Sequence, residues 1–219
     1  MTDEKHPTPD ERRGLSRRGF FTTAGVGAVG LAAVRAEAAP APPADPGVPA
    51  GAKVPVRLTV NGREHQLMVE ARTTLLQALR EELGVTSVKP GCERGECGAC
   101  TVLVDGVTRY ACMTLALEAE GAAVTTLEGL MVGEELGPVQ QAFVEHDAFQ
   151  CGFCTPGQVM AVEGLLRANP DPSFDEVRLA VSGNLCRCGA YPNIFKAARH
   201  AADLKRAAGL ERSADGGKP

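Results

Sequence analysis

Eight cysteines fall into two sets of four, and the first set runs Cys92-x4-Cys97-x2-Cys100-x11-Cys112. Four thiolates at this plant-type spacing are what a [2Fe–2S] cluster asks of a chain. The loop GCERGECGAC over residues 91–100 places three of those thiols and three glycines within ten residues. A loop wrapping a small inorganic core must reach positive φ and bring backbone N–H groups close to sulfide, and glycine permits both. The second set is Cys151-x2-Cys154 and Cys186-x-Cys188, with 31 residues between the two pairs. Together the two sets predict a chain that moves electrons through two clusters.

Disulfides and zinc compete for the same thiols. An even cysteine count suits a disulfide framework, above all in an exported chain. Against it, Cys186 and Cys188 are one residue apart, and Cys97 and Cys100 are too close in a Gly-rich loop to staple distant segments. Cys151-x2-Cys154 alone would serve as half of a structural zinc site. The x4, x2 and distant fourth cysteine of the first set match an iron–sulfur pattern and not paired zinc knuckles. His65, His146 and His200 are scattered, none at ligand spacing from a cysteine, and read as surface or cap residues. Glu93, Arg94 and Glu96 read as solvated loop charges, and Gln150 by itself as a loop polar group. Phe153 is read first as core packing. There is no nucleophile–base pair, P-loop or dinucleotide fingerprint.

The elements that must position these cysteines form two groups. Val56, Leu58 and Val60 alternate, Asn61-Gly62 signals a two-residue hairpin, and Leu67 with Val69 continues on the return strand. Thr74-x-x-Gln77 is a capping box for a helix carrying Leu75, Leu76, Leu79 and Leu83, stopped by Gly84. After the cysteine loop, 101–104 and 107–110 flank Asp105-Gly106, and 122–126 adds a last strand. A small mixed sheet with one packed helix is the economical arrangement. Beyond residue 130 the pattern turns to helices: 138–146, one starting at Thr155 as N-cap with Gln158 at N3, one capped by Ser173 and Glu176, and one from 191 to about 204. The second cysteine pairs sit at helix ends, where two antiparallel helix pairs would bring them together. The fold class expected is therefore α+β.

Residues 1–38 read as an export signal. Ser16-Arg17-Arg18-Gly19-Phe20-Phe21 resembles the twin-arginine signature, residues 20–34 are uncharged, and Ala36-Glu37-Ala38 offers a small-x-small cleavage pattern. The uncharged stretch is shorter than the roughly 20 apolar residues of a spanning helix. Twin-arginine export carries proteins already folded around their cofactors, so a periplasmic location is expected, with no membrane span in the mature chain. Residues 39–53 are a Pro/Ala linker, 54–130 the first domain, 131–206 the second and 207–219 a polar, flexible tail. The chain has 219 residues, 44% of them apolar and 4% aromatic, with a net charge of −4. That charge excludes the basic footprint of a nucleic-acid binder. Thin cores of this kind gain folding free energy from inorganic staples.

Three motifs, GCERGECGACTVLVDG, QCGFCTPGQ and SGNLCRCGAYPNI, resemble those of the xanthine oxidase family of molybdenum hydroxylases, in its small iron–sulfur subunit or N-terminal segment. With its leader the chain is most similar to iron–sulfur subunits of periplasmic aldehyde oxidoreductases. The resemblance implies a ferredoxin-like β-grasp domain holding one [2Fe–2S] cluster through Cys92, Cys97, Cys100 and Cys112. It implies a C-terminal four-helix domain holding the other through Cys151, Cys154, Cys186 and Cys188. It also places Gln150 and the Cys188 side of the second cluster towards the molybdopterin cofactor of a large partner subunit, with FAD in a further subunit as the usual destination of the electrons. The exported leader departs from most relatives and weighs against a soluble nicotinamide acceptor. A free-standing periplasmic ferredoxin-like carrier is the competing reading, although a shuttle needs only one cluster.

Overall fold

The computed structural model describes Pro49 and residues 51–209; the expected export signal, most of the expected linker and residues 210–219 of the expected tail lie outside the described residues. Strands β1 (Lys53–Val60) and β2 (Arg63–Glu70) pair antiparallel around Asn61-Gly62. Asn61 and Gly62 have φ of 49° and 78°, the two positive values of a type I′ turn. Val56, Leu58, Val60, Leu67 and Val69 are buried on one face, as the alternation requires. Strands β3 (Thr101–Val104) and β4 (Val107–Tyr110) form a second hairpin, and β5 (Ala123–Thr125) joins the two. The sheet order is β2-β1-β5-β3-β4, with β5 parallel to β1 and antiparallel to β3. This is the mixed β-grasp sheet.

Thr74 and Gln77 make the expected capping box, each side chain accepting from the other's backbone N–H. The helix they open is not continuous α-helix. Only Leu75–Gln77 (α1) is α-helical, and Ala78–Glu82 continues as π-helix. The wider turn lets Leu75, Leu76, Ala78 and Leu79 all bury against the sheet, more than one narrow α-helical stripe would hold. Each such leucine stabilises by roughly 1.5–3 kcal/mol relative to exposure. Beyond Leu83, Arg80 ties the outgoing chain by donating to the Thr86 and Val88 carbonyls, both at 2.9 Å.

The second half is four helices: α2 (Pro138–Glu145), α3 (Thr155–Ala168), α4 (Phe174–Ala180) and α5 (Tyr191–Ala207). Val139, Ala142, Phe143, Val159, Val162, Val177, Ile194 and Ala197 form its core. Ser173 and Glu176 cap α4 as expected. The cap of α3 differs from the sequence expectation. Cys154 is the N-cap, Thr155 is already helical, and neither Thr155 nor Gln158 makes a side-chain cap. Gln158 instead turns inward to the Asn184 carbonyl at 2.6 Å, a tertiary partner that local spacing does not reveal. No helix among the described residues is long and apolar enough to cross a membrane.

Strand β3 is buried on both faces. Val102 points into the sheet's own core, while Leu103 packs with Thr108 against Gly164 of α3. The chain leading from β5 towards α2 is held by Glu128, a residue exposed as a whole whose carboxylate turns back to accept from Ser87 Oγ, Ser87 N–H and Thr126 Oγ1. Burial pushes its pKa up, but those hydrogen bonds outweigh it and the net shift is downward. A carboxylate with a depressed folded pKa stabilises above its unfolded pKa and loses that contribution as pH falls through the folded value. Glu128→Gln is therefore expected to cost about 1 kcal/mol at neutral pH, small because solvent screens the group. It should also flatten part of the acid limb of a urea-midpoint titration; superimposable acid limbs would contradict the assignment.

Candidate metal centres

The first four thiols are carried by three elements: the loop ahead of β3, the first residue before that strand, and the 3-10 turn Ala111–Met113 after β4. Pairing of β3 with β4 sets Thr101 opposite Tyr110, so Cys100 and Cys112 are delivered side by side. Cys100 lies beside Cys112, and Cys97 beside Cys92. Cys100 and Cys112 are buried, whereas Cys92 and Cys97 are half-buried. The inner and outer pairs differ in chemistry. Burial pushes the Cys100 thiol up to about 12. Backbone N–H donation from Arg94, with help from Glu96 and Cys97, outweighs burial at Cys92 and lowers it to about 7. The two N–H···S distances are 3.5 Å from Arg94 and 3.3 Å from Glu96. Cys92 therefore ionises before Cys100, which surrenders its proton on metal binding.

The loop's glycines are required where backbone passes sulfur or another chain segment. A Cβ on Gly91 would lie 2.8 Å from Cys97 Sγ, and one on Gly98, which has φ of 67°, would lie 2.5 Å from the Gly183 carbonyl. Side chains at either position would push the loop off its cradle.

The second four thiols come from the N-terminus of α3 and the segment between α4 and α5. Cys154 lies beside Cys186, and Cys151 beside Cys188. Burial pushes Cys154 up to about 12. The Phe153 N–H and the Cys188 thiol lower Cys151. At Cys186 burial raises the pKa, but N–H groups of residues 188–190 and the Cys154 thiol outweigh it. Cys151 and Cys188 are exposed, so this quartet presents one pair of sulfurs to the outside and keeps the Cys154 and Cys186 pair inward. Gln150 and Phe149 are exposed on the same stretch.

Within each expected set the thiols lie close enough to influence one another, and all eight are unbridged. Among the described residues no three histidine, cysteine or carboxylate side chains converge as a single ion would require. Two sets of four unbridged thiols are a donor set that suits two two-iron clusters, each with four thiolates. The Thr155 hydroxyl, directly after Cys154, is buried without a partner, and a hydroxyl donor beside a thiolate ligand fits a sulfur acceptor there. The residues present therefore fit the group.

Some placements depart from the sequence reading. Phe153 is 49% exposed and not core: its ring edge lies 3.8 Å from where a Gly91 Cβ would stand, so a residue of the second quartet's loop reaches the first quartet's. His146 does act as the C-cap of α2, but it also meets His200 at 3.0 Å, with Glu145 3.3 Å from the same His200 nitrogen. The seam between the quartets was missed altogether. Leu185 N–H donates to the Cys97 carbonyl at 2.9 Å, linking the backbone of one quartet to the residue preceding Cys186 of the other. Gly157 packs so tightly that a Cβ there would meet the Gly98 carbonyl oxygen at 2.3 Å. The only sequence trace of this seam is polar Asn184 beside Cys186.

Comparison with known proteins finds two adjacent family matches along the chain. Residues 58–125 match the family described as 2Fe-2S iron-sulfur cluster binding domain, and residues 126–199 match the [2Fe-2S] binding domain. The aldehyde oxidoreductase iron-sulfur-binding subunit PaoA of Escherichia coli O157:H7 is 47% identical over 169 residues, covering 70% of this chain and 74% of that one. The nicotinate dehydrogenase small FeS subunit of Eubacterium barkeri is 44% identical, covering 69% of this chain and 96% of that one. Among solved structures, a chain of quinoline 2-oxidoreductase from Pseudomonas putida 86 superposes with a TM-score of 0.69 at 45% identity, covering 73% of this chain and 99% of its own.

Proposed function

Because the chain belongs to the small iron–sulfur subunits of the xanthine oxidase family of molybdenum hydroxylases, we propose that it relays electrons from the molybdenum cofactor of a large partner subunit towards an FAD subunit, in an enzyme that oxidises aldehydes. The observation that supports this reading is two sets of four unbridged thiols carried by segments that a buried seam fastens together. Cys92, Cys97, Cys100 and Cys112 would hold one [2Fe–2S] cluster, and Cys151, Cys154, Cys186 and Cys188 the other. Such clusters supply one-electron transfer, with potentials set by hydrogen bonds to sulfur and by exposure.

The chain's own residues tune and insulate. N–H groups of Arg94 and Glu96 would stabilise charge at Cys92, and burial around Cys100 and Cys154 excludes water from the inner side of each quartet. Exposed Cys151 and Cys188, with Gln150 and Phe149 beside them, form the face that would receive the large subunit. The family resemblance assigns Gln150 and Cys188 to the pterin side. The aldehyde substrate class follows the relative named as an aldehyde oxidoreductase subunit. Export of the folded chain to the periplasm rests on Arg17-Arg18 and the Ala36-Glu37-Ala38 pattern.

Co-purification of the native protein with metal analysis tests the proposal. The expected result is about four iron atoms per chain, a large molybdenum-containing chain and a flavin chain in the same complex, recovered from the periplasmic fraction. In that complex Gln150→Ala should leave iron content unchanged and slow aldehyde turnover. Full activity of this variant rejects the pterin-facing placement, and an iron-loaded monomer without a large chain makes the protein a free carrier.

A further inference from the structure

Residues 183–185 lie directly ahead of Cys186 and are fastened to the loop of the other quartet by buried hydrogen bonds. Asn184, 3% exposed, donates through Nδ2 to the Gly98 carbonyl at 2.9 Å and to Thr101 Oγ1 at 3.1 Å. Its own carbonyl accepts from Nε2 of Gln158, a side chain with no exposure at all. Leu185 N–H reaches the Cys97 carbonyl, and the Tyr110 hydroxyl reaches the Gly183 carbonyl at 3.4 Å. The side chain of Asn184 thus reaches residues flanking Cys97 and Cys100, while its backbone carbonyl is held by α3 and its N–H donates to the Val181 carbonyl within its own segment.

Packing alone does not account for this arrangement. Gln158 keeps its Oε1 buried without a donor, which an apolar side chain of the same volume would avoid. A buried polar contact with several defined partners excludes sliding and rotation that an apolar seam would allow. We infer that Asn184, held from behind by Gln158, is a positioning residue that sets the separation of the two clusters and thereby the rate of electron transfer between them. The inference rests on the two-cluster reading above.

The test uses the intact complex, fully reduced with dithionite. Two neighbouring reduced clusters split each other's EPR lines at low temperature, and this magnetic coupling falls with the inverse cube of their separation. Asn184→Leu and Gln158→Met are compared with the unaltered protein at equal iron content. The expected result is retention of both signals at their own g values, with loss of the mutual splitting and slower equilibration of electrons between the clusters. A lowered melting temperature with unchanged splitting and unchanged equilibration would make Asn184 structural only and overturn the inference. Should Asn184→Leu fail to load iron, Gln158→Met, which preserves volume and removes only the bond to the Asn184 carbonyl, decides by the same criterion. An unaltered protein without iron would defeat the two-cluster reading itself, a distinguishable failure.

Discussion

Replacing Cys188 by serine is expected to remove or shift one of two paramagnetic signals in the reduced protein and to leave the other, plant-type signal intact. Cys188 is exposed and lies beside Cys151, the two forming the outward pair of the second quartet. A hydroxyl at this position is a poorer ligand for iron than a thiolate, so the outward half of the cluster is weakened while Cys154 and Cys186 remain. The first quartet is built on a different loop and a different hairpin, and its four thiols are untouched. If the damaged cluster is lost outright, iron should fall from about four to about two atoms per chain. EPR with iron analysis of the same preparation reads both effects. Two unchanged signals would remove Cys188 from the ligand set.

Adding a single methyl at Gly157 is expected to be nearly as damaging, although this residue bears no chemistry. A Cβ there meets the Gly98 carbonyl oxygen at 2.3 Å and the Ala99 backbone at 3.1 and 3.2 Å. All three contacts are with main chain that cannot swing aside, and that main chain lies between Cys97 and Cys100. Overpacking of this kind costs roughly 1–3 kcal/mol, and the rigid neighbour puts Gly157→Ala near about 3 kcal/mol. For a chain of this size that is a fall of roughly 6–12 °C in the midpoint of thermal bleaching. Because the clash presses on the ligand loop, the plant-type signal should broaden before the other does. A bleaching midpoint equal to that of the unaltered protein would show that α3 does not need its close approach to the loop.

Much of the fold was readable locally. Asn61-Gly62 and Asp105-Gly106 have the positive φ values that two-residue hairpins demand, and Thr74 with Gln77, and Ser173 with Glu176, form the capping boxes their spacing announced. Such signals survive in a linear chain because donor and acceptor are a few residues apart. The reading failed where a side chain had a better offer from far away. Thr155 and Gln158 have capping-box spacing, yet Gln158 bonds Asn184, 26 residues on. Phe153 looked like core but stands half exposed between the two cysteine loops, because the helix start at Cys154 turns it outward. The π-helical stretch at Ala78–Glu82 likewise answers to the shape of the sheet it covers.

For the sites themselves, cysteine spacing divides the eight thiols into two sets of four, since a small cluster collects sulfurs that local loops and helix ends hold near one another. Only the tertiary structure decided which pair in each quartet faces inward, which thiols are driven protonated by burial, and how one quartet is fastened to the other. Those properties depend on desolvation and on hydrogen bonds such as Asn184 to Gly98, made between residues 86 positions apart. They come into being only when the β-grasp sheet and the helices close on a shared seam, and no local pattern encodes that closure.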